Sequence, residues 1–259
     1  MIQEKEVPFY RSIHSLNGNI YLFKEVASVL DEAFSLINSK KMYAWDSVLA
    51  KSQTGGRGQL RRVWQSPEGN LYAALHLPKE NFYQDLRATP FLGFLCSISL
   101  RRMGWPALVK WPNDLVINRE NPGKVGGILL EEKAGNFVVG IGLNLISSPP
   151  SALLRADSSL PSSHLSIPIT NKFFNPVFFW KIFLKYFRDY FKKFLLNPHG
   201  WEKIYNNFLL WKSGNVEIID GKKRYYGQLL GINDDGGIRL LENNHIFVVY
   251  NGSMKYLHK

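Results

Sequence analysis

Cysteine is nearly missing from this sequence: Cys96 is the sole thiol in 259 residues. A lone thiol closes no internal disulfide, which excludes the stapled scaffolds of small secreted proteins and fits a reducing compartment. Its setting, the apolar run FLGFLCSISL, reads as an inert core position rather than a nucleophile. Long hydrophobic runs are missing too. The longest candidate, Pro90 to Arg101, falls well short of the roughly 20 residues that span a bilayer. The opening MIQEKEVPFYRSIHS has neither an apolar signal core nor an arginine-rich amphipathic helix. These absences predict a soluble, cytoplasmic protein with no membrane partner. No internal repeat or low-complexity segment is present either.

Acidic residues are in deficit, 21 against 32 basic, for a net charge of +11. That imbalance points to an anionic partner. The basic residues come as scattered pairs, such as Lys40-Lys41, Arg61-Arg62, Arg101-Arg102 and Lys192-Lys193, and form no long run. Scattered pairs are the pattern of a solvated surface, which argues against a dedicated nucleic-acid binder. With 45% hydrophobic and 14% aromatic residues the chain can bury a substantial core, sized for one large domain and a small one.

The periodicity predicts a strand at Ile20–Val26, an amphipathic helix at Val29–Asn38 and a second strand at 46–52. A third strand is predicted at Asn70–Leu77, then a buried helix at Pro90–Met103. The short apolar segments ALVKW, LVIN, VGGILLEE and FVVGIGLNL follow, joined by RENPGK and KAGN, which are hairpin-sized. Strands joined by tight turns make an antiparallel or mixed sheet rather than a doubly wound one. Residues 146–169, rich in Ser and Pro, read as a long surface connection. From Phe174 to Leu196 the helical spacing of Phe179, Phe183, Tyr186, Phe187, Tyr190 and Phe194 reads as a core stripe. Beyond Ser213, short strands separated by Asp220-Gly221 and Gly236-Gly237 predict a small five-stranded barrel.

Chemistry concentrates in a few strings. QTGGRGQLRRVWQSPEGNLY, Gln53 to Tyr72, packs four glycines and three arginines together. Glycine backbone can curl its amides around an anion, and arginine grips phosphate or carboxylate with a two-pronged fork. The same residues also suit an RGG-like nucleic-acid contact, or a surface loop that holds nothing. KWPNDL puts Lys110 at a strand end, followed by a proline and an Asn-Asp pair. KVGGILLE puts two glycines on a strand, where a ligand can approach the backbone closely. GIGLN ends another strand in an amide, Asn144. Taken singly, each has a bland alternative: a surface lysine, an ordinary turn, a bulge.

Taken in this order, GRGQLRRVWQSPEGNLY, KWPNDLVI, KVGGILLE and VVGIGLNL resemble the successive motifs of biotin–protein ligases, also called biotin–[acetyl-CoA-carboxylase] ligases. The resemblance runs over most of the chain. It implies an α+β fold: a central mixed, mainly antiparallel sheet flanked by helices, class II synthetase-like, in residues 1–212. A small C-terminal SH3-like β-barrel would occupy 213–259. It implies ATP and biotin as substrates, with Mg²⁺, and a two-step reaction through biotinyl-5′-AMP. The partner implied is a biotin carboxyl carrier protein with its acceptor lysine. Members that also repress transcription carry an N-terminal DNA-binding domain, and the roughly 19 residues before the first strand leave no room for one. The expectation is therefore a monofunctional ligase with no DNA partner; a homodimer through a sheet edge is an arrangement the family allows.

The same resemblance assigns residues. Lys110 would bridge carboxylate and α-phosphate, with Arg57 and Arg62 as further catalytic cations. Biotin would be met by Ser28, Val29, Leu30, Gln53, Arg57, Gly58, Gln59, Lys110 and the strand residues Gly126, Gly127 and Ile128. The adenylate would be met by Gly56, Arg62, Trp64, Asn113 and Asn144. No firm metal ligand is implied; Asp114, through a water, is the one candidate. Two departures stand out. Where the family reads Ser-Thr-Asn, this chain reads Ser28, Val29 and Leu30, and where Arg, Arg or Leu, and Gly are common in the loop it has Gln59, Leu60 and Arg61. Each hydrogen-bonding side chain lost from a buried pocket costs about 1–3 kcal/mol. The alternatives this leaves are a same-fold ligase for another carboxylate, such as lipoate, or a non-catalytic module that binds anions or nucleic acid.

Overall fold

The computed structural model describes residues 9–15, 17–80, 85–118, 120–149, 160–166, 175–196 and 200–257. In chain order the elements are β1 (Phe9–Ile13), β2 (Ile20–Val26), α1 (Val29–Asn38), β3 (Ser47–Gln53), β4 (Leu71–His76) and α2 (Ala88–Arg102). Next come β5 (Leu108–Lys110), β6 (Asp114–Ile117), β7 (Gly123–Lys133), β8 (Asn136–Leu143), α3 (Pro176–Leu196) and α4 (Trp201–Tyr205). The last are β9 (Asn215–Asp220), β10 (Lys223–Ile232), β11 (Ile238–Glu242), β12 (His245–Val249) and β13 (Ser253–Tyr256). One sheet has the hydrogen-bonded order β1-β2-β3-β4-β8-β7-β6-β5, and a second has β12-β11-β10-β9-β13. The first sheet is mixed: β2 and β3 run parallel, whereas β1–β2, β3–β4, β4–β8, β5–β6 and β6–β7 are antiparallel. The second is antiparallel at every junction. The α+β class and the five C-terminal strands are as the sequence predicts.

The chain divides into two compact units, one made of the segments up to Lys79, Leu129–Ser147 and Ser166–Lys181, the other of Glu80–Ile128, Ser148–Leu165 and Ile182–Lys259. In the first, α1 is launched by Ser28, which is extended in backbone and whose Oγ accepts the Leu30 N–H, and Asp31 and Glu32 sit in its first turn. Acidic groups there complement the helix dipole. Its inward face, Val29, Leu30, Ala33 and Phe34, packs on Phe23, Val26, Val48, Ala50, Tyr72, Ala74 and Val138 of the sheet. A mixed pattern of this sort buries one stripe of helix on one face of sheet.

In the second unit α2 is apolar almost all round, with Phe91, Leu92, Phe94, Leu95, Cys96 and Leu100 buried, as its sequence predicts. Phe94 meets Phe194 and Phe208 with ring centroids 5.2 Å apart, both edge-on, a preferred aromatic geometry. The predicted aromatic stripe is core: Phe179, Phe183, Phe187 and Phe194 are all buried. Tyr186 and Tyr190 are half-buried.

Three features depart from the sequence expectation. The strand β1 precedes the first predicted strand and pairs antiparallel with it. The short helix α4 was not anticipated. The Ser/Pro-rich connection is not wholly superficial: Leu160 and Leu165 are buried, and Lys124 N–H donates to Pro161 O while its own carbonyl accepts from Ser163 N–H. The rest of that segment, 150–159 and 167–169, and Phe174 lie outside the described residues.

Candidate active site

The residues that the resemblance names fall in both units. In the first, the parallel register that sets Val26 opposite Gln53 brings the ends of β2 and β3 level. Gln53 Oε1 accepts from Val29 N–H at 2.9 Å, and its Nε2 donates to Ser66 Oγ at 3.0 Å. Both ends of this amide are thus held by protein, and Ser28 Oγ is occupied as helix cap. Val29 and Leu30 are buried and belong to the apolar cluster, with Leu30 lying against the α-carbon of Gly140.

The glycine-arginine loop is a small hairpin. Thr54 and Gly55 N–H donate to Val26 and Ala27 carbonyls, Trp64 N–H to Gly56 O, and Gly58 N–H to Arg62 O. Arg57 and Val63 form an antiparallel bridge across it. Its tip, Gln59–Arg61, is a 3₁₀ turn with Leu60 in the left-handed region at φ 56° and its side chain in solvent. Gly56 is there for want of space: a Cβ would lie 2.6 Å from Trp64 O and 2.9 Å from Ser66 Oγ. Trp64 lays its indole over Gly142 of β8, where a Cβ would meet the ring at 2.7 Å. Gly58, Gln59 and Arg62 are half-buried along this hairpin.

Arg57 is fully engaged. It donates to Asp31 at 2.7 and 2.8 Å and to Glu131 at 2.8 and 2.9 Å. Glu131 and then Asp31 hold its guanidinium pKa above its ordinary value, and Arg57 in turn holds the Asp31 carboxyl below its own. Lys133 adds a longer contact to Asp31 at 3.4 Å. Sequence reasoning missed Asp31 and Glu131. Their signal is weak, since one is an ordinary acid of a helix first turn and the other lies 74 residues beyond Arg57. Asn144 is buried just after β8. Its neighbours are held by a residue also missed, the buried Asn70, whose Oδ1 accepts from Leu145, Ile146 and Ser147 N–H and whose Nδ2 donates to Ser147 O.

In the second unit Lys110 ends β5 and is only 4% exposed. Its ammonium donates to Asp114 Oδ2 at 2.8 Å, while Lys124 sits 2.5 Å from Asp114 Oδ1. Burial pushes the Asp114 carboxyl pKa up, but the two ammoniums outweigh it and hold that carboxyl well below the usual range. Asp114 thus faces one ammonium on each carboxylate oxygen, while Arg57 and Lys133 pair with Asp31 and Glu131. Asn113 clamps the glycine strand: its Nδ2 donates to Ile128 O at 2.9 Å and its carbonyl accepts from Ile128 N–H at 3.0 Å. Gly126 and Gly127 stand opposite Leu115 and Asp114 in the ladder.

The donor set does not fit Mg²⁺. Asp114 has an ammonium on each carboxylate oxygen, and among the described residues no group of three or more His, Cys, Asp or Glu side chains converges. Among the described residues, too, no helix is long and apolar enough to cross a membrane.

The model of the biotin/lipoate A/B protein ligase family matches residues 26–145, which hold the loop, Lys110, Asp114 and the glycine strand. The chain is 27% identical over 277 residues to the bifunctional ligase/repressor BirA of Bacillus subtilis, covering 98% of this chain and 79% of that one. It is 33% identical over 146 residues to the biotin–[acetyl-CoA-carboxylase] ligase of Paracoccus denitrificans, covering 51% of this chain and 57% of that one. Among solved structures it is similar to the biotin protein ligase of Aquifex aeolicus in complex with biotin and ATP, with a TM-score of 0.75 and 26% identity over 92% of this chain and 99% of that one. The match to the biotin/lipoate A/B protein ligase family thus rests on residues 26–145, the segment that holds these motifs.

Proposed function

We propose that this protein is an ATP-dependent biotin–protein ligase that works through biotinyl-5′-AMP, with a lysine of a biotin carrier domain as acceptor. In the first step a biotin carboxylate oxygen attacks the α-phosphorus of ATP. The bond to the bridging oxygen breaks and pyrophosphate leaves. In the second, the neutral amine of the acceptor lysine attacks the anhydride carbonyl, AMP departs, and the amine gives up a proton. The first step brings two anions together, so its barrier falls where fixed positive charge awaits them. The observation that carries the reading is Lys110: a buried ammonium held in place by Asp114, with a second ammonium, Lys124, on the same carboxylate. Mg²⁺ enters this account on the phosphates of its nucleotide substrate. Arg57, Arg62 and the hairpin they sit on are assigned to the same anions, and closure of that hairpin would exclude the water that hydrolyses an adenylate. The strand at Gly126–Ile128 and the region of Ser28 and Gln53 are assigned to biotin.

Biotin-dependent ATP–pyrophosphate exchange tests this. The wild-type protein should catalyse it, and Lys110→Ala should lose it by two or more decades. A wild-type protein inert at high biotin refutes the reading. One observation favours a different carboxylate on the same machinery: Val29 and Leu30 are apolar and packed into the core, offering no polar side chain to a ureido ring. Exchange supported by lipoate or octanoate but not by biotin would select that alternative.

A further inference from the structure

We propose that the turn between β10 and β11 of the C-terminal sheet is a positioning element for Lys110, with Gly236 and Trp111 as the residues that transmit its hold. Lys110's part in the chemistry rests on the ligase reading; the tether itself does not. The indole of Trp111, next in sequence after Lys110, is fully buried and its Nε1–H donates to Gly236 O at 3.1 Å across 125 residues of sequence. The acceptor is rigidly presented. Within the turn Gly236 N–H donates to Asn233 O, Asn233 N–H to Gly237 O, and Gly237 N–H to Asp235 Oδ1. Tyr250, just after β12, donates to the other oxygen of Asp235 at 2.7 Å.

Gly236 is also pressed onto the start of α2. Its φ is +87°, and a Cβ there would lie 2.4 Å from Arg87 Cα and 2.8 Å from Arg87 N. No side chain fits that gap, so the turn approaches as closely as bare backbone permits. The short link from Lys110 to Asp114 is thus fixed at three points: the Lys110–Asp114 pair, the Asn113–Ile128 clamp and the Trp111–Gly236 bond. The first two are made by β5, β6 and β7 among themselves. The third comes from the C-terminal sheet, and it grips the residue beside the ammonium. A displacement of about 1 Å at a reacting group costs up to a hundredfold in rate, so a tether at this position acts on turnover more than on ligand capture.

Two variants separate the tether from general stability. Trp111→Phe keeps an aromatic ring and deletes the N–H; Gly236→Ala forces the turn off α2. Each should lower kcat of pyrophosphate exchange by about tenfold or more, with KM for biotin within about twofold. Their double variant should be little worse than the more damaging single, because both cut one link. Arg224→Ala, which breaks the Glu217 pair within the same sheet, should lower thermal stability and leave kcat unchanged. A readout independent of activity is amide hydrogen exchange of residues 108–116, which should quicken in Gly236→Ala. Full kcat in both variants, additive losses in the double, or unaltered exchange at 108–116 overturns the proposal. If the wild-type protein turns over no carboxylate at all, the ligase reading falls, and the exchange rates at 108–116 still decide the tether.

Discussion

Replacing Asp114 by Asn should be among the most damaging isosteric changes available in this protein. The carboxylate is largely buried, Lys110 beside it is almost completely so, and Lys124 is about a third exposed. Removing the negative charge strands the Lys110 ammonium in a site that cannot hydrate it, and breaking a buried pair in this way costs about 3–5 kcal/mol. The amide oxygen of Asn can still accept one hydrogen bond, so the lower end, about 3 kcal/mol, is the expected loss. At about 2–4 °C per kcal/mol for a chain near this size, Tm should fall by about 6–12 °C. The pH dependence provides a second check. The folded carboxyl pKa is depressed, so its contribution is complete above the unfolded value of about 4 and is lost as pH falls through the folded one. The stability gap between wild type and Asp114→Asn should therefore be flat from neutrality to about pH 5 and close in stronger acid. Thermal melts in low-salt buffer across that range are the assay. A variant within about 1 kcal/mol of wild type, or a gap that widens in acid, refutes the ion-pair argument.

Glu131→Gln should cost only about 1 kcal/mol, since that pair is partly solvated, while releasing Arg57 to tighten an ATP analogue by a few-fold in calorimetry; weaker binding would mean the arginine serves its acids alone. Asn70→Ala leaves the Leu145, Ile146 and Ser147 amides without their acceptor and should lower stability by about 2–3 kcal/mol, whereas Asn70→Asp, which keeps the acceptor, should lose less. Cys96 is completely buried and burial pushes its thiol pKa far up, so a thiol reagent should modify the native protein not at all and take one equivalent in urea.

Much of this was legible in the sequence, for local reasons. Strand ends, hairpin turns and the buried helix follow from patterns within ten or so residues, and Lys110 was picked out by the string around it. The features that escaped are pairings over long separations. Asp31 and Glu131 meet on Arg57 from 26 residues before it and 74 after it, and neither belongs to a string that marks it. Lys124 was read only as the first residue of KVGGILLE, although the ladder that puts Asp114 opposite Gly127 brings it onto the carboxylate. Strand β1 has few side-chain cues of its own and exists because β2 offers it an edge. Leu160 and Leu165 were masked by the prolines and serines around them, which describe the backbone's turns and say nothing of which leucines find a core.

The contact between Leu30 and Gly140 bears on how this protein can change over generations. A methyl group at 140 would sit 3.1–3.3 Å from three carbons of Leu30, so the two positions share one fixed volume. A lineage that shortens the side chain at 30 gains room for alanine at 140, and one that keeps leucine admits it only by shifting that side chain a few tenths of an ångström. Drift at these two sites should be coupled, and a selection for suppressors of Gly140→Ala should return substitutions at 30 before any other.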